Sequence, residues 1–374
     1  KNISLYSISV IMYMVVGYNL MYPGGGTGVI PELSFFLGAD NTAEAAIASG
    51  GDIYYSGISD HFFQVVFVAT ACSIISGAVA ERMKLWPFLL FCVVMTSIIY
   101  PVQGYWKWGG GFLDEAGFSD FAGSGVVHLC GAVAALAGVL VLGSRKGKYT
   151  DGKVNAMPGA NLPLATLGTF ILWLGWFGFN AGSALAADNS AAMAMLVTHL
   201  SAACGSLAWM TMEWIRHGKP SVLGIVTGMV AGLGTITPAS GSVGPAAAVV
   251  IGLTAGVVCY FATITLKNTL KIDDSLDVFP VHGVGGMLGT ILIGVFAAPS
   301  IGIFSGNGFS DGVSSMGGQL YIQIFGVIVT FVFTLIGSWI LLKLVDQLVG
   351  LRVDDEEETE GLDLVLHDER GYDL

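Results

Sequence analysis

Ten stretches of about 20 apolar residues, each nearly free of charge, constrain this chain more than any other feature. They run over residues 3–22, 62–80, 85–104, 124–143, 163–182, 191–214, 221–238, 244–266, 278–297 and 319–345. A bilayer core takes about 20 apolar residues per helix. Within it, helices and closed barrels are the structures that satisfy their own backbone polar groups. Hydrophobic residues make up 54% of the chain and charged residues 11%, against about 25% charged in soluble domains. A water-facing surface cannot be built from so few charges, so the expected fold is an all-α polytopic membrane protein. Residues 1–346 are expected to form the transmembrane domain, and residues 347–374 an acidic regulatory tail.

With ten spans both ends of the chain share one face. Fourteen of the 15 Lys and Arg residues fall in segments on that face, and only Lys107 falls on the other. Cytoplasmic loops carry such an excess, so both termini are expected in the cytoplasm of a cell carrying this chain in its plasma (inner) membrane. The external loop 23–60 holds five acids and no Lys or Arg. Ten carboxylates lie between Asp354 and Asp373, so the net charge of −12 is mostly a property of the tail. A basic nucleic-acid footprint is absent. The five cysteines sit singly in apolar stretches without metal-ligand spacing, so neither a disulfide framework nor a metal site is expected.

Two segments repeat. Asp120-Phe-Ala-Gly-Ser-Gly-Val-Val-His128 opens the fourth span and Asp274-Ser-Leu-Asp-Val-Phe-Pro-Val-His282 the ninth. Each places an Asp eight residues before a histidine. The copies are five spans apart and cross in opposite directions, the mark of an inverted-topology repeat. Two five-helix repeats plus a final helix would require eleven spans, so the first repeat is one span short. The chain begins at Lys1 rather than Met, and the expectation is an N-terminally truncated version of an eleven-span protein.

An ionisable residue inside a bilayer is costly and is a functional candidate by default. His128 and His282 hold matching places, so a pseudo-two-fold would bring them together as a polar stripe able to share a proton. The plainer reading, two unrelated histidines each bonded to a carbonyl, does not explain the duplicated setting. His199 has no repeat partner and reads as a packing residue. Trp108 follows the third span, and Trp176 and Phe179 lie in the fifth, ahead of Ser183. Interfacial belts account for most membrane tryptophans, but ring faces also hold cations, at about 0.5–2 kcal/mol per contact.

These segments, with Gly77-Ala-Val-Ala-Glu-Arg82, Gly175-Trp-Phe-Gly-Phe-Asn-Ala-Gly-Ser183 and the tail segments Gly350-Leu-Arg-Val and Glu360-Gly-Leu-Asp, closely resemble the Amt/MEP ammonium transporter family. The resemblance runs from Lys1 to the C-terminus. It implies that Trp108, Phe67 and Ser183 recruit ammonium at the external mouth and that Phe67 and Phe179 form a stacked gate. It also implies that Asp120 supports the vestibule by capping backbone groups, and that His128, His282 and Trp176 line the pore. Ammonium would be deprotonated at the mouth and conducted as ammonia, with or without a separately relayed proton; methylammonium is the expected analogue. A homotrimer and a PII-type signalling protein at the cytoplasmic face are the implied partners, with Gly361–Leu366 as a docking segment. No cofactor is implied. An ammonium sensor of the same fold, or a Rh-type gas channel, is the alternative. An enzyme is not expected, since no nucleophile, metal triad or cofactor fingerprint accompanies the histidines.

Overall fold

The computed structural model describes residues 1–37 and 56–371. Among them ten helices are long and apolar enough to cross a membrane. They are α1 (Asn2–Met21), α2 (Gly57–Ala78), α3 (Leu85–Glu115), α4 (Ser124–Leu142), α5 (Leu162–Gly182), α6 (Asn189–His217), α7 (Val222–Ala239), α8 (Pro245–Thr269), α9 (Phe279–Phe296) and α10 (Met316–Val349). A two-stranded hairpin, β1 (Tyr149–Thr150) and β2 (Lys153–Val154), joins α4 to α5. After α10 come two short tail helices, α11 (Asp355–Glu360) and α12 (Leu362–His367). The chain is therefore a multi-pass helical membrane protein. Asp40, Glu44 and Asp52 of the acidic loop, and Asp373 of the tail, lie outside the described residues.

Helix starts follow local chemistry. The side chains of Ser56, Asn161, Asp188, Ser221 and Ser315 each accept a backbone N–H from the first turn of α2, α5, α6, α7 and α10, meeting donors that have no partner within the helix. The cap at Ser56 corrects one boundary. The hydropathy window opens at residue 62, whereas α2 begins at Gly57. Asp60 and His61 thus belong to the helix, and a hydropathy scan rejects them because they are polar. α10 is likewise longer, at 34 residues, and α3 continues past residue 104 to Trp108 before breaking at Gly109–Gly111.

The buried side chains fall into two main bodies. One gathers α1–α4 and α10 around Tyr13, Phe67, Phe88, Phe91 and Val127; the other gathers α6–α9 around Val197, Ile236, Ile251 and Ile293. Contact between α6, α7 and α8 is backbone on backbone. A Cβ on Gly232 would lie 2.2 Å from the Ser201 carbonyl oxygen, and one on Gly252 2.4 Å from the same atom. Small residues permit this approach where no hydrophobic effect drives helices together. The outward face of α5 carries exposed Leu164, Leu167, Phe170, Ile171 and Leu174, as a lipid-facing helix does.

On the face that carries the tail, buried charge ties the loops together. Arg82 is 0% exposed. Its guanidinium donates to the carbonyls of Ala78, Ala80, Gly143 and Asp273 and to Ser275 Oγ. Arg145 forks onto both Asp273 carboxylate oxygens at 2.9 Å, and its backbone N–H adds a third bond; it also meets Glu81. Burial lowers the Arg82 pKa to about 10, so it stays charged at neutral pH. Burial opposes the Asp273 charge, but the Arg145 bonds outweigh it and hold this carboxyl below its ordinary range.

The tail is latched to the same loops. Val353 N–H donates to Arg82 O, and Lys84 N–H to Leu351 O. Arg352 reaches the carbonyls of Leu142 and Ser144 and pairs with Glu358. Asp273→Asn would leave Arg145 with only the exposed Glu81 as a carboxylate partner, a loss of about 3 kcal/mol for a broken buried pair, read as a lower thermal midpoint of the detergent-solubilised protein. Because the Asp273 pKa is depressed, its stabilising effect is complete above the ordinary carboxylate pKa of about 4 and is lost as pH falls through the depressed value. The gap between wild type and variant should therefore narrow in acid.

Candidate functional site

The two histidines meet where the two bodies touch. His128 lies in a π-helical turn, Ser124–Leu129, at the start of α4, and His282 in another, Phe279–Val284, at the start of α9. A π turn holds an extra residue, often at functional sites, and here both copies of the repeat use it. The imidazoles stack with centroids 5.1 Å apart at 19°, and the two Nδ1 atoms are 3.1 Å apart. One Nδ1 must donate and the other accept. The remaining Nε2 atoms then differ: the donor ring keeps a bare lone pair there, and the acceptor ring an N–H. His128 is 0% exposed, and its Nε2 is buried with no hydrogen-bond partner.

Rings continue the column away from the tail face. Trp176 stacks on His128 at 5.1 Å and 13°, and its indole N–H donates to Thr237 Oγ1 at 2.8 Å, which fixes the plane of the ring. Phe179 lies 5.5 Å from His128 and stacks on Phe67 at 4.2 Å and 27°. Trp108 stands edge-on to Phe67 at 5.9 Å. The structure thus gathers Phe67, Trp108, His128, Trp176, Phe179 and His282 into one column.

Asp120 organises the entry to α4. Its two carboxylate oxygens accept four backbone N–H groups, from Gly123, Ser124, Gly125 and Val126, at 2.8–2.9 Å, and its own carbonyl takes the Trp108 indole N–H at 3.0 Å. Gly123, at φ +106°, turns the chain into this cap. Burial still leaves the Asp120 pKa above the usual carboxylate value, against the pull of those bonds. The repeat partner is less well satisfied. Asp274 Oδ2 accepts from Phe279 N–H while Oδ1 is buried without a partner, and burial together with nearby Asp277 raises this carboxyl to about 6.

Three cavities lie in series along the column. The first, of about 520 Å³, is lined by Tyr18, Asp60, Phe63, Gln64, Phe67, Trp108, Asp120 and Ser183. Ser183 donates its hydroxyl hydrogen to Phe179 O at 2.7 Å, which leaves its oxygen free to accept. The second, of about 600 Å³, passes between α2 and α5 to His128, Trp176 and His282. The third, of about 480 Å³, leads from His282 to Arg145, Lys267 and Asp277 at the tail face. Phe67 borders the first two and His282 the last two.

Sequence reasoning missed Asp60, Phe63 and Gln64 in the mouth and Thr237 behind Trp176. The helical spacing 60, 63, 64, 67 is the signal that could have found the first three: Phe63 and Gln64 already fell inside the expected span, and Asp60 needed the helix start placed correctly. His199 lies outside the column, its ring between Trp173 and Phe177 on the exposed surface. No group of three His, Cys, Asp or Glu residues able to hold a metal occurs among the described residues.

Comparison with known proteins follows the same lines. The family model described as Ammonium Transporter Family matches residues 1–372. A putative ammonium transporter of Methanothermobacter thermautotrophicus is 41% identical over 97% of this chain and 86% of its own length. An ammonium transporter of Aquifex aeolicus is 40% identical over 99% of this chain and 84% of its own. Among solved structures, one described as Sensor Amt Protein superposes with a TM-score of 0.88 at 35% identity, covering 98% of this chain and 88% of that one. Candida albicans Mep2 superposes with a TM-score of 0.84 at 30% identity, covering 95% and 78%. With its ten spans, its ring-lined column and a family match along nearly its whole length, the chain belongs to the ammonium transporter family.

Proposed function

We propose that this chain takes up ammonium at the Trp108 mouth, where the ion gives up its proton to external water or to a separate relay, and passes ammonia along the histidine column to the tail face. The tail face is the cytoplasmic face of the cell membrane, as the distribution of Lys and Arg argues. Residues 1–346 carry transport, and residues 347–374 regulate it.

The observation that carries this reading is the Nδ1–Nδ1 contact of 3.1 Å between His128 and His282. Two imidazolium rings would set N–H against N–H, so the pair carries at most one extra proton. With one Nε2 accepting and the other donating, the pair matches ammonia, which has one lone pair and three N–H donors. A bare cation has no such match, and taking it out of water into an apolar pore carries a large desolvation cost. Selection therefore belongs to the mouth, where Trp108, Phe67 and the Ser183 oxygen offer ring faces and an acceptor. Below it, the Phe67–Phe179 stack at 4.2 Å leaves no aperture, so passage requires the rings to swing apart. Trp176 shapes the lumen beside His128. Asp120 acts by holding the α4 entry rather than by touching substrate.

The partners follow the family. Copies assemble as a homotrimer, and a PII-type protein docks at the tail. The tail is latched to the cytoplasmic loops through Arg352, Glu358 and Lys146, and α12 exposes Leu364, Val365 and Leu366 beside it.

Labelled methylammonium uptake by cells lacking other transporters tests the reading. His128→Ala should lower the initial rate about tenfold or more, equivalent to ~1.4 kcal/mol or more of barrier; undiminished uptake would sink the paired-histidine mechanism. Phe179→Ala removes one face of the Phe67 stack and should change the initial methylammonium rate severalfold; a wild-type rate would rule out the phenylalanine gate. Exchanging Leu364, Val365 and Leu366 together for Ser should abolish capture of the PII-type protein while leaving uptake within about twofold, the scale of a surface change of ±0.5 kcal/mol.

A further inference from the structure

We propose that Asp60 is the anionic anchor of an outer subsite in the mouth, one that holds a small N–H-donating monocation before it reaches the phenylalanine stack. The inference rests on the transport reading and deepens it. Asp60, Phe63, Gln64 and Phe67 stand at i, i+3, i+4 and i+7 of α2, one face of the helix, and all four line the cavity of about 520 Å³. Asp60 is 8% exposed, and its Oδ2 accepts from the Tyr18 hydroxyl at 2.8 Å. One turn further in, Gln64 is 7% exposed, and its Oε1 is buried with no hydrogen-bond partner. That orphaned acceptor, lining a cavity beneath a carboxylate, asks for a donor.

The charge balance of the cavity points the same way. Lys107 also lines it but is paired with Asp114 at 2.5 Å. Asp120 lines it too, yet four backbone N–H groups occupy its oxygens. Asp60 forms no ion pair among the described residues, so among them its negative charge is the one lining the mouth that is left for a mobile cation. A charged cleft with low-dielectric walls raises the local concentration of the opposite ion. A carboxylate alone would draw potassium as readily as ammonium. The oxygens of Gln64 and Ser183 accept hydrogen bonds, and the Phe63 ring, 4.7 Å from Phe67, offers a face for cation–π contact. Together these favour an ion that donates N–H bonds. Asp60 thus concentrates the cation, and the acceptors and rings sort it.

Scintillation-proximity binding of labelled methylammonium to the purified protein tests this without requiring transport. Asp60→Asn keeps the size and an acceptor for Tyr18 but removes the charge. It should weaken binding roughly threefold to tenfold, the scale of one partly screened charge pair, and flatten the loss of affinity with rising salt. Tyr18→Phe, which keeps the charge, should stay within about twofold of wild type. Wild-type affinity in Asp60→Asn, an equal loss in Tyr18→Phe, or no binding by wild type overturns the proposal. Uptake separates the two readings: a wild type that binds methylammonium but does not move it overturns transport and leaves the subsite standing. A transporting wild type whose KM is matched by Asp60→Asn overturns the subsite alone.

Discussion

The hydrogen bond between His128 and His282 organises the molecule at the seam between its two helical bodies. It can form only if the starts of α4 and α9, which enter from opposite faces, meet with their rings in register. Each start is therefore built as a cap and a wide turn. Asp120 gathers four amide groups, and Trp176 is fixed by Thr237 and lies flat on His128. The caps absorb the cost of ending helices inside the protein, and the imidazole pair places two otherwise expensive polar rings against each other. Rings with neither nitrogen partnered in such surroundings would be costlier still, so the contact sets tight demands on everything that positions it.

The tail face solves a different problem with the same means. Arg82 and Arg145 are buried where loops converge, and their donors are met by carbonyls and by Asp273. Three loop carbonyls and the last carbonyl of α2 converge on one guanidinium, so those segments cannot shift independently. The tail joins this assembly through Arg352, which couples its position to the loops bordering the inner cavity.

Much of this was legible in the sequence. Ten apolar stretches announce ten helices, because lipid leaves the backbone no alternative. Two Asp-x7-His segments on oppositely directed spans announce a shared centre, and the structure brings His128 and His282 within 3.1 Å. Boundaries were less legible, since hydropathy measures greasiness whereas helices end where donors are capped. The five residues from Gly57 to His61 show the difference. They are polar enough to look like loop, yet Ser56 starts the helix ahead of them, and the error hid Asp60 from the mouth. The unequal treatment of Asp120 and Asp274 was also out of reach. The two segments look alike, but one carboxylate collects four amides and the other is left with a bare oxygen, a distinction set by the backbone path rather than by spacing.

The wide turns at Ser124–Leu129 and Phe279–Val284 carry a consequence for how such a chain can vary. A π turn differs from an α turn by one residue, and one residue is about 100° of rotation about a helix axis. Losing a single residue from either turn would restore a regular helix and swing its histidine round to face a neighbouring helix. Insertions or deletions in these two turns would therefore break the column, however conservative the surrounding residues.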